Sequence, residues 1–279
     1  MKPGILYIVA TPIGHLGDMT ARAIETLRAV DIIAAEDTRH SQPLLRHFGI
    51  QKPLVSLHEH NEREKSIDLI EEIKQGKNLA LISDAGTPLI SDPGYHLVRL
   101  ATRADLQVVP IPGPSALIAA LSVSGLPTDR FQFEGFLSAK ASERRRQLED
   151  LVNANRTLVF YESPHRIIAT LTDMLTVFGS VREAVIAREL TKAFETVQHG
   201  NLERLLRFVE DSPNQQRGEF VILIAGMPEK PSHPGLSLEA ERVLKILLSA
   251  LSHKEAVSLA AKITGVRKQI LYDYALSLK

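Results

Sequence analysis

The first half of the chain alternates short, unbroken apolar runs with segments in which apolar residues recur at helical spacing. The runs lack the polar alternation of a half-exposed strand, so they are typical of strands buried on both faces. The segments between them each carry one apolar face, as at Ala23, Leu27 and Val30, which is typical of helices packed on a sheet. The helix after the second strand is expected to start at Ser41. This order predicts an α/β domain with a mostly parallel sheet covered by helices on both sides. The predicted strands cover residues 5–9, 31–35, 55–57, 79–83 and 107–111.

The pattern changes after a linker at residues 125–128. Phe131, Phe133 and Phe136 alternate with polar residues, which is typical of a strand, and further strands are predicted at 157–161, 184–187, 196–198 and 220–225. We expect a second α/β domain here, again with a mostly parallel sheet. The predicted organisation is an N-terminal α/β domain at residues 1–124, a second one at 125–228, and a small module at 229–279.

The small module begins with a Pro-rich linker at residues 230–235, which no helix is expected to cross. Three helices are predicted after it, and the tight junction at residues 264–266 is typical of a helix-turn-helix. Residues 231–279 hold seven Lys or Arg and four Asp or Glu, a local net charge of +3. Nucleic-acid binding and a helical dimerisation tail both fit this segment.

Composition excludes several classes of function. Lys plus Arg and Asp plus Glu both number 33, so no global field directs the protein to nucleic acid or membrane. The absence of cysteine excludes disulfides, thiolate catalysis and Cys-ligated metal centres. No apolar run approaches the roughly 20 residues that span a bilayer. We therefore expect a soluble, cytoplasmic protein.

Turns rich in Gly and Pro follow several of the predicted strands. The longest, residues 84–94, contains two aspartates, Asp84 and Asp92, besides Gly86 and Gly94. Ligands bind at the carboxyl ends of strands in open α/β sheets, and a ligand with a positive centre suits two carboxylates better than a phosphate does. An ordinary loop rich in turn-forming residues is the alternative. The turns expected to converge are residues 11–14, 84–87, 112–115 and 162–166.

The common catalytic motifs are missing from these turns. None matches a Walker A loop, a dinucleotide-binding Gly-x-Gly-x-x-Gly or the Gly-x-Ser-x-Gly of a serine hydrolase. His58 and His60 form the only close histidine pair, and a spacing of two on a loop is weak evidence for a metal. We therefore predict no metal site.

Six ordered motifs occur along the chain: TPIG at 11–14, AEDTR at 35–39, SDAGTP at 83–88, PGPSA at 112–116, YESPHR at 161–166 and GEFV at 218–221. Together they resemble the motifs of the tetrapyrrole methylase superfamily. In the particular residues of each motif, they resemble the ribosomal RNA branch of that superfamily, the bacterial small-subunit rRNA cytidine 2′-O-methyltransferases. The resemblance runs from Ile5 to about Gly226, and the C-terminal helices also resemble those enzymes. One departure is the first turn, Ala10 to Asp18, which lacks the Gly-x-Gly-x-Gly-Asp of tetrapyrrole enzymes; this disfavours porphyrinoid binding and fits the RNA branch.

The resemblance implies a homodimer with S-adenosylmethionine held in the cleft between the two α/β domains. By the same resemblance, the turn at 84–87 would hold the methionine portion through backbone groups, and Gly218 and Glu219 would approach the adenine. The implied cofactor-binding residues are Pro12, Gly14, Asp84, Ala85, Gly86, Thr87, Ser115, Ala116, Tyr161, Glu162, Arg188, Leu190, Gly218 and Glu219.

Methyl transfer to a ribose hydroxyl requires chiefly in-line placement, and a base that takes the proton can help. Glu36, Asp37, His165 and Lys192 are candidates. We favour the turn at residues 36–39, including Arg39, as a positioning group and proton acceptor on the RNA side. A helix-capping loop in which Asp37 pairs with Arg39 is the alternative.

The implied partner is small-subunit rRNA within a ribosomal particle. Phosphate contacts need Lys or Arg, although a solvated helix face explains the arginine triplet better than RNA contact does. Without Trp and with five Tyr, the chain is not expected to track single strands by base stacking. A small-molecule methyltransferase and a non-enzymatic RNA-binding assembly factor remain alternatives. The basic candidates are Arg39, Arg144, Arg145, Arg146, Arg166, Lys262, Arg267 and Lys268.

Overall fold

The computed structural model describes residues 2–227 and 235–278. The chain divides into two compact units, residues 1–226 and 227–279. The first five strands of the larger unit are β1 (Ile5–Val9), β2 (Ile32–Ala35), β3 (Leu54–Ser56), β4 (Leu79–Ile82) and β5 (Gln107–Ile111). They alternate with α1 (Ala21–Ala29), α2 (Thr38–His47), α3 (Glu62–Lys74), α4 (Tyr95–Arg103) and α5 (Ala116–Val123).

These five strands form one fully parallel sheet in the order β3-β2-β4-β1-β5. Side chains of a strand alternate between its two faces, and here both faces are apolar. Ala80 and Ile82 of β4 belong to one buried cluster, while Leu79 and Leu81 belong to the cluster on the opposite face. The prediction of a parallel sheet covered on both sides is therefore confirmed.

The second sheet contains β6 (Phe131–Phe136), β7 (Thr157–Glu162), β8 (Glu183–Arg188), β9 (Thr196–Asn201) and β10 (Phe220–Ile224), in the order β6-β7-β10-β8-β9. Its helices are α6 (Ala141–Leu151), α7 (Ile167–Phe178) and α8 (Leu202–Glu210). The α/β class is as expected, but this sheet is mixed: β6 and β7 are parallel, and the other pairs are antiparallel. A short loop at residues 189–195 joins β8 to β9, and such a loop permits only an antiparallel pair.

Helix α5 packs against the second sheet, although the sequence placed it in the first domain. Leu117 and Leu121 share a buried cluster with Val159, Val185 and Val221. The predicted boundary at residue 124 stays a prediction.

Helix α2 differs from the expectation at its start. The predicted start at Ser41 is wrong, because the helix begins three residues earlier, at Thr38. Asp37 caps it there by accepting the backbone N–H of Arg39 at 2.8 Å. Pro43 consequently lies inside the helix.

The smaller unit contains α9 (Leu238–Leu248), α10 (His253–Thr264) and α11 (Lys268–Ser277). Their apolar faces bury Leu244, Val257 and Leu271 together. Gly265 ends α10 with a φ of +71°, a left-handed cap that glycine adopts without strain and that gives the tight junction expected there. The Pro-rich segment at 230–234 lies outside the described residues. Within 2–227 and 235–278, no helix is long and apolar enough to cross a membrane.

The arginine triplet of α6 does not form a uniform exposed face. Arg144 is buried, and its Nε and Nη2 atoms lie 2.8 and 2.7 Å from Asp173 Oδ2 of α7. Arg145 and Arg146 are exposed. Arg144 therefore joins two helices and is not available to RNA.

Replacing Arg144 by Ala should destabilise the protein by about 3–5 kcal/mol, because it leaves the carboxylate of Asp173 buried without its main partner. Arg146→Ala, on the same helix, should change the free energy of unfolding by no more than about 0.5 kcal/mol. Urea denaturation of both variants measures the difference. Equal stabilities would contradict the structural role given to Arg144.

Candidate cofactor-binding site

The turns that follow β1, β4 and β5 are joined into one edge. Thr11 and Gly86 exchange two backbone hydrogen bonds of 2.9 and 3.0 Å, and the Thr11 hydroxyl donates to the Ser83 carbonyl at 3.1 Å. The Thr87 hydroxyl donates to the carbonyl of Pro114 at 3.0 Å. Gly86 has a φ of +82°, where a side chain would be strained. The predicted convergence of these turns is therefore present.

A cavity of about 410 Å³ lies between this edge and the second sheet. The size falls within the roughly 300–1,000 Å³ of pockets that hold cofactors and other small molecules. Tyr161 spans the two walls, because its hydroxyl accepts the backbone N–H of Leu117 at 3.1 Å and its ring contacts Phe133 and Phe136. Apolar side chains including Ile13, Leu190 and Val221 line much of the remaining wall.

Unusual backbone conformations cluster on both sides of the cavity. Leu89 and Ser91 have φ values of +74° and +66° in the turn after β4, and Glu189 and Thr191 have +50° and +65° in the loop after β8. Each such residue costs free energy that the surrounding structure must offset, and these conformations collect at ligand sites. Their position supports a binding function for both walls.

One carboxylate, Asp92, lies in the cavity wall, and two more outside the lining, Glu36 and Asp84, are close enough to act on it electrostatically. Asp92 lines the cavity, and burial raises its pKa to about 7, with the charges of Glu36 and Asp84 adding to the rise. Burial and then Asp84 also raise the pKa of Glu36. Asp84 itself accepts the backbone N–H of Asp37 at 3.2 Å. A positively charged ligand relieves this repulsion, so the donor set fits a sulfonium cofactor.

Nine of the fourteen cofactor-binding residues expected from the sequence line this cavity, and the other five do not; of these, Gly218 lines a neighbouring surface cavity. Ile13 reaches the cavity between the expected residues Pro12 and Gly14, neither of which lines it. Asp84 is also outside the lining. The expected residues that do line it are Ala85, Gly86, Thr87, Ser115, Ala116, Tyr161, Glu162, Leu190 and Glu219.

Arg188 and the two glycines outside the lining support the walls. Arg188 is buried and donates to the carbonyls of Arg217 and Phe194 at 3.0 Å each. A Cβ atom on Gly218 would lie 2.4 Å from the Glu189 side chain, and one on Gly14 would lie 2.4 Å from Cγ of Lys192. These positions require glycine for close packing.

Glu162 is buried, and its carboxylate is fully engaged by the protein. It accepts the Ser163 N–H at 2.7 Å, the Thr170 hydroxyl at 2.6 Å and Arg166 Nη2 at 3.1 Å. Arg166 also donates to the carbonyl of Leu137. Glu162 therefore fixes the start of α7, and Arg166 is committed to internal contacts.

The structure separates the candidates for proton transfer. Lys192 Nζ lies 2.9 Å from both Glu189 Oε1 and Glu219 Oε2; burial opposes the charge of Lys192, but these hydrogen bonds raise its pKa, so it stays protonated. Hydrogen bonds from Arg39 lower the pKa of Asp37 to about 2, which makes Asp37 a poor base and matches the capping alternative.

His165 lines a neighbouring surface cavity and not the main one. Of the sequence candidates for the proton acceptor, Glu36 is left, and the structure adds Asp92 as a second candidate. Asp92 belongs to the turn at 84–94, but the sequence alone does not indicate it as a proton acceptor, because its burial depends on the fold. Among residues 2–227 and 235–278, no three His, Asp or Glu side chains are placed to hold a metal ion.

The chain is similar to known proteins over its whole length. The family described as Tetrapyrrole (Corrin/Porphyrin) Methylases matches residues 5–206, and the one described as the RsmI C-terminal HTH domain matches residues 234–279. Ribosomal RNA small subunit methyltransferase I of Pseudomonas aeruginosa is 55% identical over 276 residues, covering 99% of this chain and 98% of that one. Its counterpart from Escherichia coli O157:H7 is 51% identical over 273 residues, covering 98% and 95%.

Solved structures share the fold of the larger part of the chain. A diphthine synthase superposes with a TM-score of 0.60 at 18% identity, covering 80% of this chain and 90% of that one. A cobalt precorrin-4 methyltransferase gives 0.58 at 16% identity, covering 79% and 94%. At such identities the likeness concerns the fold alone. With the family match and the relatives at half identity, the chain belongs to the tetrapyrrole methylase family and is a methyltransferase whose methyl donor is S-adenosylmethionine.

Proposed function

We propose that this protein methylates the ribose 2′-oxygen of a cytidine in small-subunit (16S) ribosomal RNA. The relatives named for small-subunit rRNA, similar over almost the full chain, support the substrate. The observation that carries the reaction is the cavity between the two sheets, with its acidic side. The sugar oxygen and the cytidine rest on the resemblance of the motifs.

S-adenosylmethionine supplies a methyl group on a positively charged sulfur, which makes that methyl an activated electrophile. The chain's part is to bind, orient and dehydrate. The joined turns place Gly86 and Ser115 in the cavity wall, and Ile13, Leu190 and other apolar residues exclude water from the cavity. Correct placement of two reactants can supply about 7–11 kcal/mol of the barrier reduction.

Asp92 is the proposed proton acceptor for the ribose hydroxyl. It lines the cavity, and a base with a pKa near the working pH is the most effective. Glu36 lies close enough to influence Asp92 electrostatically, and it is the second candidate. We propose that Glu36 helps to position the RNA at the acidic side.

The assembled ribosomal particle and the homodimer are also part of the proposal. They rest on the resemblance of the motifs. A cytoplasmic location follows from the substrate, because ribosomal RNA is in the cytoplasm of bacteria.

The function is tested by mapping ribose methylation in 16S rRNA from a strain with and without this protein. One 2′-O-methyl cytidine should disappear in its absence and return when purified protein and S-adenosylmethionine are added to the deficient subunits. An unchanged map, or a methyl group on a base, would contradict the proposal.

Filling the cavity should abolish cofactor binding. Ala116→Phe places a ring where α5 meets the cavity, and the affinity for S-adenosylmethionine should fall at least about 100-fold, or roughly 2.7 kcal/mol. Ile118→Phe, on the same helix but 54% exposed and away from the cavity, should bind as the unchanged protein does. Titration calorimetry measures both. Equal affinities of the two variants would place the cofactor elsewhere.

The reaction should depend on the ionisation of Asp92. Because burial raises its pKa to about 7, Asp92 is neutral below that pH and an anion above it. We expect kcat/KM for methyl transfer to rise with pH and to level off above about 7. Asp92→Asn should lower the rate by about 10²–10⁴-fold and remove this rise.

The exposed Asp129→Asn serves as the control and should keep both the rate and the pH profile. An Asp92→Asn enzyme with the pH profile of the unchanged protein would eliminate Asp92 as the proton acceptor.

A further inference from the structure

We propose that a groove between α3 and α4 binds the phosphate backbone of the RNA substrate. This inference rests on the proposed function and names a surface that the RNA would contact. The groove has a volume of about 290 Å³. Its lining residues are Arg63, Ile67, His96, Arg99, Leu100 and Arg103, and we call it the α3–α4 groove.

The groove concentrates positive charge on its surface. Arg99 and Arg103 are one turn apart on α4, and Arg63 faces them from α3. All three arginines are exposed, and no carboxylate lines the groove. A chain with 33 basic and 33 acidic residues has no overall field, so such a patch is a local feature.

Within the described part of the chain, none of the three arginines forms an ion pair. Two lysines of α3 differ from the arginines in this respect: Lys65 pairs with Asp68 at 3.3 Å, and Lys74 pairs with Glu71 at 2.7 Å. Arg99 Nη1 donates to the Tyr95 hydroxyl at 3.3 Å, and the Arg99 guanidinium lies over the ring of that tyrosine. Like charges one helical turn apart repel one another, so an external anion would stabilise the groove.

The groove is fixed to the edge of the cofactor cavity by a buried carboxylate. Glu62 begins α3, and its Oε1 accepts the backbone N–H of Gly94 at 2.9 Å and that of His96 at 2.7 Å. Gly94 ends the turn that also carries Asp92. The first turns of α3 and α4 are therefore held beside the reaction site.

From this anchor the arginines lead away from the cavity. A rise of 1.5 Å per residue separates Arg99 from Arg103 by about 6 Å along α4. RNA whose ribose enters the cavity must extend over the neighbouring surface, and a row of guanidinium groups suits its phosphates, which they bind in a bidentate manner. The repeated anionic charge of RNA matches a row of cations better than a single anion does.

Three of the basic candidates from the sequence are engaged within the protein, whereas Arg146 of α6 is exposed like the groove arginines. Arg39 is paired with Asp37, Arg144 is buried against Asp173, and Arg166 is engaged internally. None of the groove residues belongs to a sequence motif, because the patch forms only when α3 and α4 pack side by side.

The double variant Arg99→Gln/Arg103→Gln tests the proposal in the full-length protein. Lys65→Gln/Lys74→Gln is the matched control: it removes the same charge from neighbouring surface, outside the groove. Binding to labelled small ribosomal subunits that lack the modification is measured from about 0.05 to 0.2 M salt, a range over which phosphate contacts change affinity strongly. Calorimetry with S-adenosylmethionine serves as a check that the folded site is intact.

The groove variant should bind RNA at least about 10-fold more weakly at 0.1 M salt. The slope of log K against log salt is negative, and its magnitude should decrease by about 2. The lysine control should stay within about twofold of the unchanged protein, and both variants should keep their cofactor affinity.

An arginine variant with unchanged RNA affinity and slope would overturn the groove proposal while leaving rRNA methylation intact. A shift in its oligomeric state alone, measured by sedimentation, would also overturn it and would assign the groove to a second copy of the chain. Failure of the unchanged protein to bind small ribosomal subunits at any salt concentration would overturn the proposed function as well.

Discussion

The two backbone hydrogen bonds between Thr11 and Gly86 are the constraint on which the site depends. They join the turn after β1 to the turn after β4, and Gly86 reaches this contact with a φ of +82°. The bridge requires β1 and β4 to be neighbours in the sheet, as they are. From there Thr87 contacts the turn after β5, so one edge faces the second sheet. The cavity is the space that remains between them.

The cavity combines apolar walls with a concentration of carboxylates that would be unfavourable without a ligand. Burial raises the pKa of both Glu36 and Asp92, and the neighbouring carboxylates add to the rise. A cationic ligand reverses this effect, because it favours the charged carboxylates that burial disfavours. In the α3–α4 groove the charges have the opposite sign. There the guanidinium groups repel one another, and a bound anion would relieve that repulsion. The two surfaces are linked through Glu62, which ties both helices to the turn at residues 84–94.

Much of this architecture is readable in the sequence. Unbroken apolar runs such as Leu79–Ile82 predict a parallel sheet because a strand buried on both faces has no polar alternation. The turns at Gly86 and Ser115 were expected to converge because carboxyl ends of parallel strands meet at one edge. The second sheet was harder to predict, since local patterns do not determine whether β8 and β9 pair in a parallel or antiparallel manner. The start of α2 differs from the predicted one because Asp37 caps the helix before Thr38, and the helix accommodates Pro43 in its interior.

The chemistry of individual side chains was the least predictable part. Lys192 is a plausible base in sequence, but two carboxylates from separate segments, Glu189 and Glu219, hold its proton. Arg144 looks exposed in a charged helix, yet Asp173 of another helix binds it in the interior. The importance of Asp92 depends on burial by residues distant in sequence. Such properties depend on long-range packing, which spacing along the chain does not encode.

The central claim is that the methyl donor lies between the two sheets beside Asp92. A crystal structure of the protein with S-adenosylhomocysteine tests it most directly. The account predicts density for the ligand in the cavity bounded by Gly86, Ser115 and Tyr161, with its sulfur on the side of Asp92. Density on another surface, or a sulfur facing away from the three carboxylates, would contradict it.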